Sequence, residues 1–382
     1  MKLFKFIVPV ALMSSVVLAN PASKEHTKNS MDLSKTLQAN TKKILSKYQA
    51  KLPASMLSAI VMDSKTGQVV AFGAQERNSD SNTSNILVTH QFEPGGIMKP
   101  ITISLALDLG KTTLDERFKT YNVLNHDEPA KYGEYKIGKY SIKDFSKNHT
   151  SDLSVKEIIK NSSNIGTLQI ANKIDTDEFI DGLHRFGINK KTSIDFADEK
   201  IGYLPTLETM TKDASEKQPN MYKVAVSYGQ AMTATLPQLV KAYGVFNNDG
   251  AISSPRIKNI EIDTNKPQVI SKNTANTMKS FLIESFSSNL KNNANTKNIE
   301  IGGKITTGFI PKKNGDGYSY SDDVYKLFVG FANDHHGHNY TIGIMVFDPK
   351  TTKAEALDFK PQVQVLEEIV QNLIDTGFLS NK

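Results

Sequence analysis

The sequence predicts an α+β fold, an antiparallel sheet flanked by helices with an all-helical subdomain inserted between the second and third strands. Three observations carry this. Two alternating apolar segments flank Lys65-Thr66-Gly67 and read as a hairpin, with the glycine supplying the turn geometry. A long run of helix-period segments follows. Three strand-like runs, "IEIGGKITTGF", "YKLFVGFAND" and "YTIGIMVFD", then precede a last amphipathic helix over 361–376.

Composition agrees with a globular chain. The 382 residues are 38% hydrophobic and 23% charged, enough for a sizeable core in one large domain or two smaller ones. The net charge of +6 and pI near 9.0 come from lysines scattered along the chain, which reads as solubility. No basic module interleaved with aromatics is present, so nucleic acid is not an expected partner. Cysteine is absent, which excludes disulfides and thiolate chemistry.

In chain order, Lys2 and Lys5 open an apolar stretch over 6–19 that ends in Val17-Leu18-Ala19. Residues 1–19 therefore read as a secretory signal, shorter than the ~20 apolar residues of a spanning helix. The inner membrane becomes a partner only if this stretch stays uncleaved as an anchor. Either way the rest of the chain is expected to be exported to the periplasm. Residues 20–52 are polar and read as a tether with one helix around 33–48; the domain proper is placed at 53–378. The hairpin comes next, then a polar loop over 75–91 and a helix over 95–109. The 112–217 region reads as mainly helical. In it, "LSVKEIIKNSSNIGTLQIANKI" is broken at Ser162-Ser163-Asn164, and "TDEFIDGLHRFG" reads as a helix capped by Thr176 and stopped by Gly187. A helix opened by Thr235, with Pro237 in its first turn, closes near Gly250. Another covers 273–286.

Three stretches could carry chemistry. "FEPGGIMKP" has the cadence of a helix start that presents a nucleophile, with a lysine one turn later on the same face to take its proton. Backbone N–H groups at such a helix start can hold an oxyanion. Lys99 stands three residues after Gly96, the position a serine would need. Read blandly, Gly95-Gly96 is a flexible start to a core helix. "KNSSNIG" offers Ser162 and Asn164, a hydroxyl and an amide two apart, which also suit plain helix capping. "GGKITTGF" offers Lys304, Thr306 and Thr307 on a strand, where alternate polar side chains can simply face solvent. Each is weak alone; their order and separation in one exported chain are more specific.

With these residues on the page, the chain resembles the transpeptidase domain of class B penicillin-binding proteins, serine acyltransferases that cross-link peptidoglycan. The likeness runs from about residue 55 to 374. "DSKTGQVVAFGA" resembles the family's opening hairpin, "FEPGGIMKP" its Glu-Pro-Gly-Ser-x-x-Lys-Pro stretch and "NSSNIG" its Ser-x-Asn motif. "SYGQAMTATLPQLVKAYGVFNNDG" follows its Gly-Gln-Gly…Thr-Pro-x-Gln-Leu…Ala-Tyr…Asn-x-Gly segment, and "GGKITTGF" stands where Gly-Lys-Thr-Gly-Thr-Ala is expected. The resemblance implies the penicillin-binding, β-lactamase-like fold. It assigns Lys99 as general base, Ser162 and Asn164 as proton shuttle and substrate-amide holder, and Lys304 and Thr307 as attractors of a peptide carboxylate.

Two departures set the functional expectation. Gly96 occupies the nucleophile position and has no side chain to acylate. Ser104, five residues past Lys99 within the helix, cannot replace it geometrically. On the strand, Ile305 replaces threonine and Thr306 replaces the glycine that lets substrate lie close. The family's N-terminal dimerisation region is also missing from the resemblance.

The expectation is an inactive relative that binds muropeptide or a cell-wall synthesis protein. An active D,D-transpeptidase or carboxypeptidase with an unrecognised nucleophile and a purely structural envelope protein remain open. No cofactor is implied. His335, His336 and His338 could bind metal, but they sit in an expected polar turn between strands, so no metal site is expected. Glu93, Asp144, Glu157 and Asp195 show no pairing pattern and read as helix caps and solvated surface.

Overall fold

The computed structural model describes residues 21–77, 85–120, 134–137, 140–144, 152–212, 214, 219–258, 266–290, 296–314, 317–349 and 359–382. The expected signal or anchor over 1–19 lies outside them. No helix among the described residues is long and apolar enough to cross a membrane.

Helix α1 (Pro21–Lys51) leads into strands β1 (Met56–Asp63) and β2 (Val69–Glu76). The expected tether is therefore helical over nearly its whole length. From Leu37 on it is built into the fold, with Leu37, Leu45, Tyr48 and Leu52 all buried. This stripe at helical spacing was hidden in a sequence that is polar on average.

After β2, a single helical turn (Ile86–Thr89) precedes a 3₁₀ turn (Gly95–Ile97) that runs into α2 (Met98–Asp108). Helices α3 (Val155–Asn161), α4 (Asn164–Asn172), α5 (Thr176–Arg185), α6 (Leu207–Thr211), α7 (Met221–Ser227), α8 (Leu236–Gly244) and α9 (Lys272–Phe286) follow. Strands β3 (Glu300–Asn314), β4 (Gly317–Asn333) and β5 (Asn339–Phe347) and helix α10 (Pro361–Asp375) close the chain. The five strands form one antiparallel sheet in the order β2-β1-β5-β4-β3, so the helices between β2 and β3 are an insertion between the second and third strands.

Two details differ from the sequence reading. The inserted region also carries two small ribbons, Arg117–Phe118 with Leu153–Ser154 and Glu134–Ile137 with Tyr140–Lys143. The cap residue of α5 is Asp175, in extended backbone, rather than Thr176. Thr235 does open α8, its N–H donating to Gln238 at 2.9 Å.

The sheet divides two cores by simple alternation. Met56, Ile60 and Met62 of β1 and Leu327, Val329 and Phe331 of β4 pack against the inserted helices. Leu57, Ala59 and Val61 of β1, with Phe328 and Ala332 of β4, pack on the opposite face against α1 and α10. Helix α2 is buried on every side from Met98 to Ala106, including Lys99. An apolar helix with no solvated face must run through the interior, and this one carries Lys99 to the junction of sheet and helices.

Candidate active-site cleft

Backbone packing first sets the start of α2. Gly95 adopts φ +53° and its N–H donates to the Gly229 carbonyl at 2.9 Å. Gly229 sits at φ +83°, and a Cβ there would lie 2.1 Å from the Gly95 oxygen. Only glycine permits this approach. Ala231 N–H then donates to Glu93 Oε1 at 2.9 Å. The Ser-Tyr-Gly-Gln segment thus clamps the Glu-Pro-Gly turn and aims Gly96 at a cleft between α2, the α3–α4 junction and edge strand β3.

The cleft has a volume of about 250 Å³ and is bordered by Gly96, Lys99, Ser162, Asn164, Thr306 and Thr307, among others. Lys304 stands behind it. The three motifs therefore converge. Lys99 Nζ donates to the Ser162 carbonyl at 2.5 Å and to Ser162 Oγ at 3.0 Å. Ser162 is left-handed (φ 56°), and this single residue breaks the helix between α3 and α4. Lys304 Nζ donates to the Ile159 carbonyl at 2.6 Å. Both ammonium groups thus rest on carbonyls at the C-terminal end of α3, where helix dipoles favour positive charge.

Both lysines are almost fully buried, at 4% and 6% exposure. Burial lowers the Lys99 amine to about 7; the Lys304 cation adds to the depression and the Asp144 carboxylate opposes it. Burial alone lowers Lys304 to about 8. Lys99 is thus poised to exchange a proton near neutrality.

Gly96 brings no side chain to the cleft. A Cβ built there would lie 3.3 Å from Ser162 Oγ and 3.4 Å from Thr306 Oγ1, so a side chain at this position would face the Lys99–Ser162 pair. The Gly96 N–H, the natural oxyanion donor at this helix start, is not free. It donates to Thr306 Oγ1 at 3.3 Å.

Other assignments shift. The Asn164 side-chain amide donates to the Lys143 carbonyl at 2.9 Å, and among the described residues no hydrogen bond joins Asn164 to Lys99. Thr307 borders the cleft, yet its hydroxyl accepts a hydrogen bond from Lys326 Nζ at 2.9 Å, directly across the strand pair. Ile305 packs toward the α1–α10 core. Ser104 is fully buried and donates to the Ile101 carbonyl, away from the cleft.

Two of the carboxylates read from sequence as helix caps and solvated surface help to build the site, Asp144 as a buried cap and Glu93 in place of a solvated role. Asp144 is 3% exposed. It accepts hydrogen bonds from Ser163 Oγ (2.5 Å), Asn164 N–H (2.6 Å) and Ile165 N–H (3.0 Å), capping α4 and fixing the Ser162 turn. Glu93 accepts from Tyr320 OH at 2.9 Å and from Ala231, and burial raises its carboxyl despite both bonds. Tyr325 OH donates to the Glu93 carbonyl, and Tyr228, pushed up to about 12 by burial and the Glu93 charge, lies on the same wall. The adjacency of Glu93 to the Gly-Gly turn was the one available signal. By contrast, Glu157 closes a capping box with Ser154 and Asp195 accepts from the Ile257 and Lys258 N–H groups, as helix-cap and surface roles require. In the histidine turn, Asp334 gathers the N–H groups of His336, His338 and Ser380 and pairs with His338 Nδ1 at 2.7 Å.

This geometry has a known family. Residues 57–371 match the family model described as the penicillin-binding protein transpeptidase domain. The chain belongs to the penicillin-binding protein transpeptidase domain family. It is 27% identical over 324 residues to penicillin-binding protein PbpB of Mycolicibacterium smegmatis, covering 78% of this chain and 47% of that protein. It is also 27% identical over 335 residues to the probable peptidoglycan D,D-transpeptidase PbpC of Pseudomonas aeruginosa, covering 84% and 54%. The chain thus spans about half the length of the curated relatives it matches. Among solved structures, the apo transpeptidase domain of Burkholderia pseudomallei penicillin-binding protein 3 superposes with a TM-score of 0.71 at 26% identity, covering 89% of this chain and 94% of that one. Penicillin-binding protein 3 of Mycobacterium tuberculosis, in a complex with aztreonam, shares the fold at a TM-score of 0.73 and 21% identity, covering 89% and 77%. The transpeptidase domain described here holds Lys99 and Lys304 on the end of α3 at the Ser162 turn, with glycine at position 96.

Proposed function

We propose that this chain is a catalytically silent transpeptidase domain of peptidoglycan biogenesis, exported to the periplasm, whose cleft serves as a recognition site for the peptidoglycan stem peptide. Relatives named as peptidoglycan D,D-transpeptidases support the substrate class. One observation carries the silence: Gly96 puts no hydroxyl in front of Lys99, and its N–H is occupied by Thr306. Acyl transfer through a covalent intermediate needs a nucleophile. Recognition needs only the walls. Among the described residues, edge strand β3 pairs with β4 on one side alone, leaving its other edge to receive an extended peptide. A cell-wall synthesis protein engaging the same rim is the variant of this reading in which the ligand is a protein segment.

A second reading rests on Ser162. Its hydroxyl lies 3.0 Å from Lys99 Nζ and borders the cleft, so it is the candidate for a relocated nucleophile in an active enzyme. Incubation with a labelled penicillin followed by peptide mass spectrometry separates the two. The silent reading expects no adduct; an adduct mapped to Ser162 would replace it. Titration of the labelled protein with a D-Ala-D-Ala peptide, followed by NMR, is expected to perturb the Gly96 and Thr306 amides saturably. Unmoved amides at high peptide concentration would remove the recognition role.

A further inference from the structure

A second cavity, of about 560 Å³, shares no lining residue with the cleft. It is formed by the C-terminal end of α5 and the chain after it, by Lys241 of α8, and by residues 252–256 and 266–269. Among the described residues, its walls bring together the basic side chains of Arg185, Lys190, Lys191 and Lys241 with the one carboxylate of Asp195; Arg256 and Lys266 also border it and make further interactions of their own. We infer that this cavity is a binding site for a multiply charged oxyanion of the phosphate or diphosphate class, with room for an attached sugar.

Three features make it a built site rather than a basic surface. First, the nearby carboxylates accept hydrogen bonds from backbone and hydroxyl donors, not from the basic side chains. Asp195 Oδ2 accepts from the N–H groups of Ile257 and Lys258, both at 2.9 Å. Glu199 accepts from Thr192 N–H (2.6 Å), Thr192 Oγ1 (2.5 Å) and Ser193 N–H (3.3 Å), which shapes the loop bearing Lys190 and Lys191. Among the described residues, Arg185, Lys190, Lys191 and Lys241 form no ion pair. Second, Lys241 is held in place. Gly187, at φ +85°, leaves room for the lysine stem, since a Cβ there would lie 3.3 Å from Lys241 Cδ. The Lys241 Nζ donates to Ser254 Oγ at 3.0 Å, a neutral partner, and the Glu199 carboxylate acts on it only at a distance, without an ion pair. Third, burial lowers the Lys241 amine, the Glu199 carboxylate opposes this and the Lys190 cation adds to it, so two like charges sit near one another in a partly desolvated cavity that an anion would stabilise. Guanidinium forks and clustered ammonium groups match phosphoryl oxygens in geometry as well as charge. The volume falls in the range of small-molecule sites, roughly 300–1,000 Å³.

The test uses the full chain and inorganic pyrophosphate as probe, by isothermal titration calorimetry at fixed ionic strength. Saturable binding is expected, with sulfate weaker by about tenfold or more. The double variant Lys190→Ala/Lys191→Ala removes exposed side chains only, and should weaken pyrophosphate by at least about tenfold while leaving the melting temperature of the unliganded protein unchanged. The cleft variant Gly96→Ser should bind pyrophosphate as the parent does. Binding equal in parent and double variant, or equal for sulfate and pyrophosphate, would overturn the assignment, as would no heat at all. A nucleoside-diphosphate sugar and vesicles carrying phosphatidic acid then distinguish a soluble from a membrane-borne phosphate source.

Discussion

At the scale of single residues, the cleft is decided by Gly96, Thr306 and Lys99. A serine at 96 would bring its Cβ within 3.3–3.4 Å of two hydroxyl oxygens, Ser162 Oγ and Thr306 Oγ1, contacts that shifts of a few tenths of an ångström absorb. Gly96→Ser should therefore fold normally. It should acylate poorly with penicillin, because Thr306 still holds the N–H that an oxyanion needs. Adding Thr306→Gly frees that donor, and the double variant should acylate on the order of 10²-fold faster than the single, the usual worth of one oxyanion donor. Equal labelling of the two by fluorescent penicillin would show that Thr306 is no obstacle. Lys99 gives an independent test. Its amine titrates near 10.5 when unfolded and about 7 when folded. The folded value is the lower, so between the two the unfolded state binds more protons and stability rises with pH. Below about 7 the full cost of burying the charge is carried, on the order of a few kcal/mol. Lys99→Met removes that cost. Its gain in melting temperature over the parent should be largest at pH 6 and shrink toward pH 10; a gain that grew with pH would contradict the depressed amine.

At the scale of elements, the α3–α4 junction shows what sequence can and cannot reveal. The Ser162-Ser163-Asn164 break was legible, because Ser and Asn compete with helical hydrogen bonding. The pairing of Lys99 with Ser162 was legible too, since both lie in motifs of recognisable spacing. The fate of Asn164 was not. Its amide is taken by the Lys143 carbonyl, and Lys143 and Asp144 arrive from a short ribbon about twenty residues upstream. No periodicity announces such a ribbon, and the sequence reading of Asp144 as a helix cap or surface carboxylate did not show that the cap is buried beside the cleft. Asp144 serves three donors at once, two of them otherwise orphaned N–H groups at the start of α4. Asp144→Ala should therefore destabilise the domain by about 1–3 kcal/mol in chemical denaturation. It should also loosen the Ser162 turn, seen as faster amide exchange at Ser162 and Ser163 than in the parent. A variant of unchanged stability and exchange would mean that the turn holds itself.

At the scale of the whole molecule, the sheet and its inserted helices followed from alternation and helical period, whereas the role of α1 did not. Its mean composition is polar, and only the stripe Leu37, Leu45 and Tyr48, continued by Leu52 just past its end, shows that it has a face to bury. That face closes the second core, opposite the cleft. Asn372 of α10 donates to the Leu37 carbonyl and to Thr41, and Tyr48 OH donates to Glu368 at 2.7 Å. More unusual is Gln38. Its amide accepts from Phe72 N–H at 2.9 Å and donates to the Phe72 carbonyl at 2.6 Å, doing for edge strand β2 what a neighbouring strand would do. Gly73 beside it admits the Leu45 methyl, which a Cβ would meet at 2.8 Å. An uncovered edge strand is a template for association between copies. Two variants separate packing from edge protection. Leu45→Asp buries a charge in the α1–sheet contact and should lower the melting temperature strongly. Gln38→Ala leaves the apolar stripe intact and should cost only about 1–3 kcal/mol for the two lost bonds. It should nevertheless aggregate faster than the parent below its melting temperature, by light scattering, because the Phe72 backbone groups are left open on β2. If Gln38→Ala lost stability without any gain in aggregation rate, α1 would act as core packing alone and the edge would be guarded by something else.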